Sequence, residues 1–137
     1  MKNLLIQLCL CLAALSGFSS CNSAPQVMPS PVMYSEPGPD IREVIVAAMK
    51  RRSPGWRILD EDQEAGRMRA EINVRGRHTA VIEIHYDGNE VTFHPISSDG
   101  LKEKRNDAGE VTIHKSYNTW VGNLRADIED ELRLQKM

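Results

Sequence analysis

The chain has 137 residues, 41% hydrophobic and 26% charged, the composition of a single globular domain with appendages rather than of a disordered segment. Lys and Arg number 17 against 19 Asp and Glu, a formal charge of −2, and this near balance excludes nucleic-acid binding driven by bulk positive charge. Three cysteines are too few for a disulfide scaffold.

Residues 1–20 read as an export signal and not as fold. Lys2 supplies a short basic start, Leu4-Leu5-Ile6 and Leu8 to Leu15 form an apolar run broken only by Gln7, and small residues Ser16, Gly17, Ser19 and Ser20 lead to Cys21. The run falls short of the roughly 20 apolar residues that a spanning helix needs. Phe18-Ser19-Ser20-Cys21 resembles a bacterial lipobox, an aliphatic residue and two small residues before the cysteine that takes the lipid, with Phe18 in place of the usual Leu. A competing reading is an ordinary secretory signal cut near Ala24, which would put Pro25 directly after the cut and leave Cys21 without a role. Lipidation at Cys21 is therefore expected. The resemblance implies the outer membrane, periplasmic face, because Asn22 and not Asp follows the cysteine. Cys9 and Cys11 leave with the signal, so the mature chain keeps only Cys21, carries a charge of −3 and can form no intramolecular disulfide.

Residues 21–39 follow as the lipidated cysteine and a tether. Asn22 to Pro39 holds Pro25, Pro29, Pro31, Pro37 and Pro39 with one charge, Glu36, and such a stretch is expected to stay out of sheets and helices. It reads as an extended spacer of about 3 Å per residue. The alternative is ordered packing onto the domain, for which Val27, Met28, Val32, Met33 and Tyr34 are the docking candidates.

Residues 40–137 form one α+β domain. Asp40-Ile41-Arg42-Glu43 has capping-box spacing, and Ile41, Val44, Ile45, Ala48 and Met49 make one helical stripe that ends at Ser53-Pro54-Gly55. Trp56 to Leu59 reads as a short strand, with Asp60 to Glu64 and Gly66 as its turn. Met68, Ala70, Ile72 and Val74 alternate with Arg67, Arg69, Glu71, Asn73 and Arg75, the period of a half-buried strand. Ala80, Ile82, Ile84 and Tyr86 repeat the pattern, Asp87-Gly88-Asn89 is a hairpin signal, and Val91 and Phe93 continue the apolar face up to Pro95, an end of regular pairing or an edge. Ser97 to Glu110 reads as a long polar loop interrupted by Leu101, and Val111 to Ile113 as a short extended piece. Tyr117, Val121, Leu124, Ile128 and Leu132, widened by Trp120, make a final helix; Trp56 and Trp120 are expected in the core. The expected fold is a two-layer sandwich: helix, three or four antiparallel strands as a meander, helix, with both helices on one sheet face.

The register follows from the two apolar sets, 70, 72, 74 and 80, 82, 84, which must share a face. Pairing Ile72 with Ala80 and Ala70 with Ile82 opposes Arg69 to Glu83; a shift of two residues would oppose Glu71 to Glu83. With Gly88-Asn89 as the two-residue turn, Glu83 lies opposite His94, Ile84 opposite Phe93 and His85 opposite Thr92. Arg69, Glu83 and His94 are thus expected in one row.

Gly55-Trp56, Gly66, Ala70, His78, Ala80, Ile82, Ile84, Tyr86 and above all Ile113-His114-Lys115-Ser116-Tyr117-Asn118-Thr119-Trp120-Val121 resemble a family of small, functionally uncharacterised bacterial lipoproteins with a C-terminal Ile-His-x-x-Tyr-Asn-x-Trp motif. The likeness spans Ile45 to Leu132 and the lipobox. The chain departs from the family at Phe93 and Pro95, where Tyr is frequent, and in its longer loop from Lys102 to Glu110. The resemblance implies fold and location and no activity.

Three constellations bear chemistry. Glu83, His85 and His94 share the outer sheet face and are candidates for a divalent-metal site, against the plainer reading of an ordinary solvated face. His114 and Tyr117, with Ser116, could move a proton or attack a substrate, against a structural reading in which Ser116 caps the helix and Tyr117 packs in the core. Arg67, Arg69 and Arg75, with Arg57 as a neighbour, could meet an anionic polymer or lipid phosphates, since residues 42–77 carry a local charge of +3 and residues 78–137 one of −4. Asp127 to Glu131 reads as an exposed helix face. The sequence therefore points to a lipid-anchored binding or scaffolding module of the cell envelope, with an envelope protein or anionic polymer as partner, no nucleic acid, no cofactor and no enzymatic activity. The competing class is a small envelope hydrolase or metal-dependent enzyme using His114 and Tyr117 or the Glu83, His85 and His94 face.

Overall fold

The computed structural model describes residues 22–36 and 38–137. The export signal of residues 1–20 and the lipidation site Cys21 lie outside the described residues, as does Pro37. In chain order the elements are β1 (Ser23–Pro25), β2 (Val32–Met33), α1 (Ile41–Met49), β3 (Trp56–Asp62), β4 (Arg67–Val74), β5 (His78–Tyr86), β6 (Glu90–Asp99), β7 (Lys104–Arg105), β8 (Val111–His114) and α2 (Ser116–Gln135).

The main sheet is antiparallel, in the order β2-β6-β5-β4-β3, so the four long strands pair in chain sequence. Its register is the one the charge argument selects. Ile72 faces Ala80, Ala70 faces Ile82, Arg69 faces Glu83, and on the next strand Glu83 faces His94, Ile84 faces Phe93 and His85 faces Thr92. Met68, Ala70, Ile72, Ala80, Ile82, Ile84, Val91 and Phe93 join Val44, Ile45, Ala48 and Met49 of α1 and Tyr117, Val121, Leu124, Ile128 and Leu132 of α2 in one buried cluster. Both helices therefore cover the same sheet face. Each fully buried aliphatic or aromatic side chain of this size contributes about 1.5–3 kcal/mol.

The helix starts for the reason its sequence gives. The Asp40 carboxylate accepts from the backbone N–H of Arg42 at 3.0 Å and of Glu43 at 3.4 Å. Glu43 does not reach back to complete the box but pairs with Arg42 at 3.0 Å. Arg42 also grips Glu61 on β3, its Nε and Nη2 both donating to the carboxylate, at distances down to 2.6 Å. This ties the first turn of α1 to the sheet and holds the Glu61 carboxyl below the usual range.

Several boundaries differ from expectation. β3 runs through the acidic stretch to Asp62 because a bulge at Leu59 shifts the pairing from Ile58–Ala70 to Asp60–Arg69. β6 continues past Pro95 to Asp99, with a second bulge between the Val81–Ser97 and Ile82–Pro95 pairs. Pro95 is tolerated because β2 pairs only with Glu90 and Val91, which leaves the far side of β6 open at the proline. Ser97 and Ser98, expected in a loop, are thus strand residues, and Leu101 plugs the core at 1% exposure.

The largest difference lies in the segment expected as a tether. Ser23, Ala24 and Pro25 pair with His114, Ile113 and Thr112, forming a second antiparallel sheet of order β1-β8-β7, and Val32 and Met33 add an edge to the main sheet. Val32 is fully buried and Tyr34 nearly so. The prolines permit this because the pairings are short and lie at edges, where a missing N–H leaves no ladder bond unmade.

Candidate functional site

The outer sheet face assembles the row Arg69, Glu83 and His94 with His85 beside it. The Glu83 carboxylate accepts from His85 Nε2 at 2.6 Å and from Arg69 Nε at 3.4 Å, and these partners, His85 first, hold its carboxyl below the usual range against the opposing effect of burial. The His85 and His94 rings lie against each other, centroids 4.1 Å apart and tilted by 33°, and His94 Nε2 bonds the Thr92 hydroxyl at 2.9 Å. Desolvation, then the charge of His85, lower the His94 imidazole. Arg69 also reaches Asp60 at 3.9 Å, and Arg57 binds Glu71 at 2.7 Å. The cluster is thus self-satisfied: each of the Nε2 atoms that would ligate a cation is spent on a neighbour. Among the described residues no group of three or more His, Cys, Asp or Glu is arranged to hold a metal ion. Arg67 is exposed on this face opposite His85, whereas Arg75 stands apart in the turn between β4 and β5.

The His114 and Tyr117 candidates are separated by their roles. His114 Nδ1 accepts from the Ser116 backbone N–H at 3.2 Å, so the imidazole, and not the Ser116 hydroxyl, caps the start of α2. Tyr117 is 1% exposed, its hydroxyl turned to Met28 Sδ at 3.7 Å, and burial pushes its phenol up to about 12. The phenol is held protonated, and its hydroxyl is directed to the Met28 thioether, not to the His114 ring. The motif Ile-His-x-x-Tyr-Asn-x-Trp instead reads as a seam. Ile113 is buried, His114 caps, Tyr117 packs against Met28, and Asn118 grips the backbone at Pro25 and Val27.

Downstream on α2, Arg125 donates to the Ser30 and Pro31 carbonyls at 2.7 and 3.2 Å. At the other end the Lys115 N–H donates to the Asn22 carbonyl at 2.7 Å. The N-terminal segment is therefore held to α2 and β8 from its first described residue to Pro31.

Two hollows flank Trp120, which is half-buried, while Trp56 is buried as expected. One, of about 170 Å³, is floored by Met49, Trp56, Ile72 and Leu124 and edged by Arg52 and Asp127. Asp127 belongs to the stretch expected to be an exposed face; it is instead 5% exposed, and Arg52 donates to both its oxygens at 2.7 and 3.0 Å. The charge pattern alone could not show this, because burial of Asp127 depends on the end of α1 packing across it. The second hollow, of about 320 Å³, has Val74, Leu101 and Trp120 inside and Arg75, His78, His114 and Ser116 around it. His78, marked in the sequence only by the family likeness, bonds the Gly100 carbonyl at 2.9 Å and lies 6.5 Å from His114, ring to ring. Among the described residues that line this hollow there is no carboxylate.

No family model, no curated protein and no solved structure matches the chain. Among the described residues no helix is long and apolar enough to cross a membrane.

Proposed function

We propose that the chain is a lipoprotein of the bacterial cell envelope, lipidated at Cys21, held at the periplasmic face of the outer membrane, and acting as a binding or scaffolding module for an envelope protein or anionic polymer. The observation that carries this reading is the lipobox-like Phe18-Ser19-Ser20-Cys21 directly before a segment whose first described residue, Asn22, is already bonded to the domain. A cleavage near Ala24 would cut through β1 and remove Ser23, whose partner is His114. In support of a binding role, Glu83 is held by His85 and Arg69, His94 by Thr92, and Tyr117 is buried.

Metabolic labelling with a fatty-acid analogue tests the anchor. The wild-type chain takes label and fractionates with membranes, and Cys21→Ala does neither; a Cys21→Ala chain that labels and sediments as wild type overturns the reading.

A further inference from the structure

We propose that the end of the domain bearing Arg75, Arg77, Lys102 and Lys115 rests on anionic phospholipid headgroups of the membrane that holds its own anchor. This deepens the anchor reading above and rests on it. Consecutive Cα atoms are about 3.8 Å apart, so a lipid on Cys21 is one peptide link from Asn22, whose carbonyl is bonded to the Lys115 N–H at 2.7 Å. No free spacer lies between them. The surface around Asn22 must then be the surface nearest the bilayer.

The pairing identifies that surface. Ser23 lies opposite His114, and the His114 N–H donates to the Leu101 carbonyl at 2.8 Å. Gly100, with φ +70, packs so closely on the Arg77 carbonyl that a Cβ would collide with it, and His78 is bonded to Gly100. The turn between β4 and β5, the segment after β6 and the start of α2 thus converge beside Asn22.

This end is electropositive and its cations are free. Arg75, Arg77, Lys102 and Lys115 are exposed, and among the described residues no carboxylate lies within 4.0 Å of any of them. By contrast Arg52, Arg57, Arg69 and Arg125 are all paired. The acidic side chains on the same segments are Asp99 and Glu103, so the end keeps a positive excess. Unpaired Lys and Arg at an anionic bilayer each favour the facing orientation by about fivefold.

The test uses the full lipoprotein, purified from bacterial membranes and reconstituted in vesicles of equal parts phosphatidylcholine and phosphatidylglycerol. A fluorophore is placed on Arg77→Cys or on Lys136→Cys; the latter lies beyond the far end of α2, whose 20 residues span about 30 Å. Quenching by headgroup-spin-labelled phosphatidylglycerol should be several-fold stronger at position 77 than at 136. At position 77 it should exceed quenching by spin-labelled phosphatidylcholine, and that preference should vanish when Arg75→Gln, Lys102→Gln and Lys115→Gln are combined. Equal quenching at the two positions, or no preference for the anionic lipid at position 77, overturns the proposal. The intact mass of the same preparation reports acylation separately. A chain without acyl mass refutes the anchor and this orientation together, whereas an acylated chain with equal quenching refutes the orientation alone.

Discussion

The Asn118 carboxamide clamps the backbone on either side of Gln26: its Nδ2 donates to the Pro25 carbonyl at 2.9 Å and its Oδ1 accepts from the Val27 N–H at 3.0 Å. Both ends of one side chain thus satisfy backbone groups at and just beyond the end of the short β1 ladder. Asn118→Ala removes both, and hydrogen bonds of this kind contribute about 0.5–1.5 kcal/mol each. The variant should melt lower by several degrees, with amide exchange accelerated between Ser23 and Pro31 and unchanged in β4 and β5. Unchanged exchange in that segment would show that Asn118 does not hold it.

Arg52 and Asp127 give a second prediction. Asp127 is buried and Arg52 supplies its charge partner, so Arg52→Ala leaves a carboxylate without compensation. Thermal melts should show a marked loss for Arg52→Ala and a partial recovery when Asp127→Asn is added. Equal melting of wild type and Arg52→Ala would contradict the pairing.

The outer face predicts a two-step acid response. His94 has a folded pKa below its ordinary value of about 6.5, so the stability it contributes is complete above that value and declines as pH falls through the folded one. Glu83, Glu61 and Asp87 are lowered from carboxylate values, so their contribution is complete above about pH 4.5 and declines as pH falls further. His94→Gln should remove the upper step of the melting curve against pH, and Glu83→Gln should shrink the lower. A profile for His94→Gln that still begins to fall below about pH 6.5 as in wild type would contradict the assignment.

Tyr34 and the two tryptophans separate packing from polarity. The Tyr34 hydroxyl is buried with no hydrogen-bond partner among the described residues, and burial pushes its phenol up to about 12. Tyr34→Phe should therefore be neutral or slightly stabilising, because only an unpaired polar atom is lost. Trp56→Ala, at a buried site, should cost about 3–5 kcal/mol, and Trp120→Ala, half-exposed between two hollows, clearly less. Equilibrium denaturation with urea ranks them, and a Tyr34→Phe loss as large as that of Trp56→Ala would contradict the order.

The main sheet was legible because its information is local and redundant. Period two marks residues 67–74 and 80–86, and the clash between Glu71 and Glu83 selects one register from two, placing Arg69, Glu83 and His94 in a row. The helical stripes were legible for the same reason. What stayed hidden depends on partners distant in the chain. Pro25 and Pro31 argue against a central strand, yet nothing near them indicates that Thr112 or Val91 offers an open edge. Asp127 sits in an acidic run and looks solvated until Arg52 is brought across it. Glu83, His85 and His94 were placed on the outer sheet face, but the hydrogen-bond partners of the candidates, Thr92 for His94 and the Ser116 N–H for His114, decide their roles, and partners of that kind have no sequence period.

The segment after Cys21 is part of the domain from Asn22 onward. Hydrogen–deuterium exchange of the full-length protein reads this directly. The amides of Gln26, bonded to the Val111 carbonyl, and of Tyr34, bonded to the Asn89 carbonyl, should exchange far more slowly than an unstructured chain, on the timescale of β8. Exchange of residues 23–34 at unstructured rates, with β4 and β5 protected, would contradict it and restore a free tether between anchor and domain.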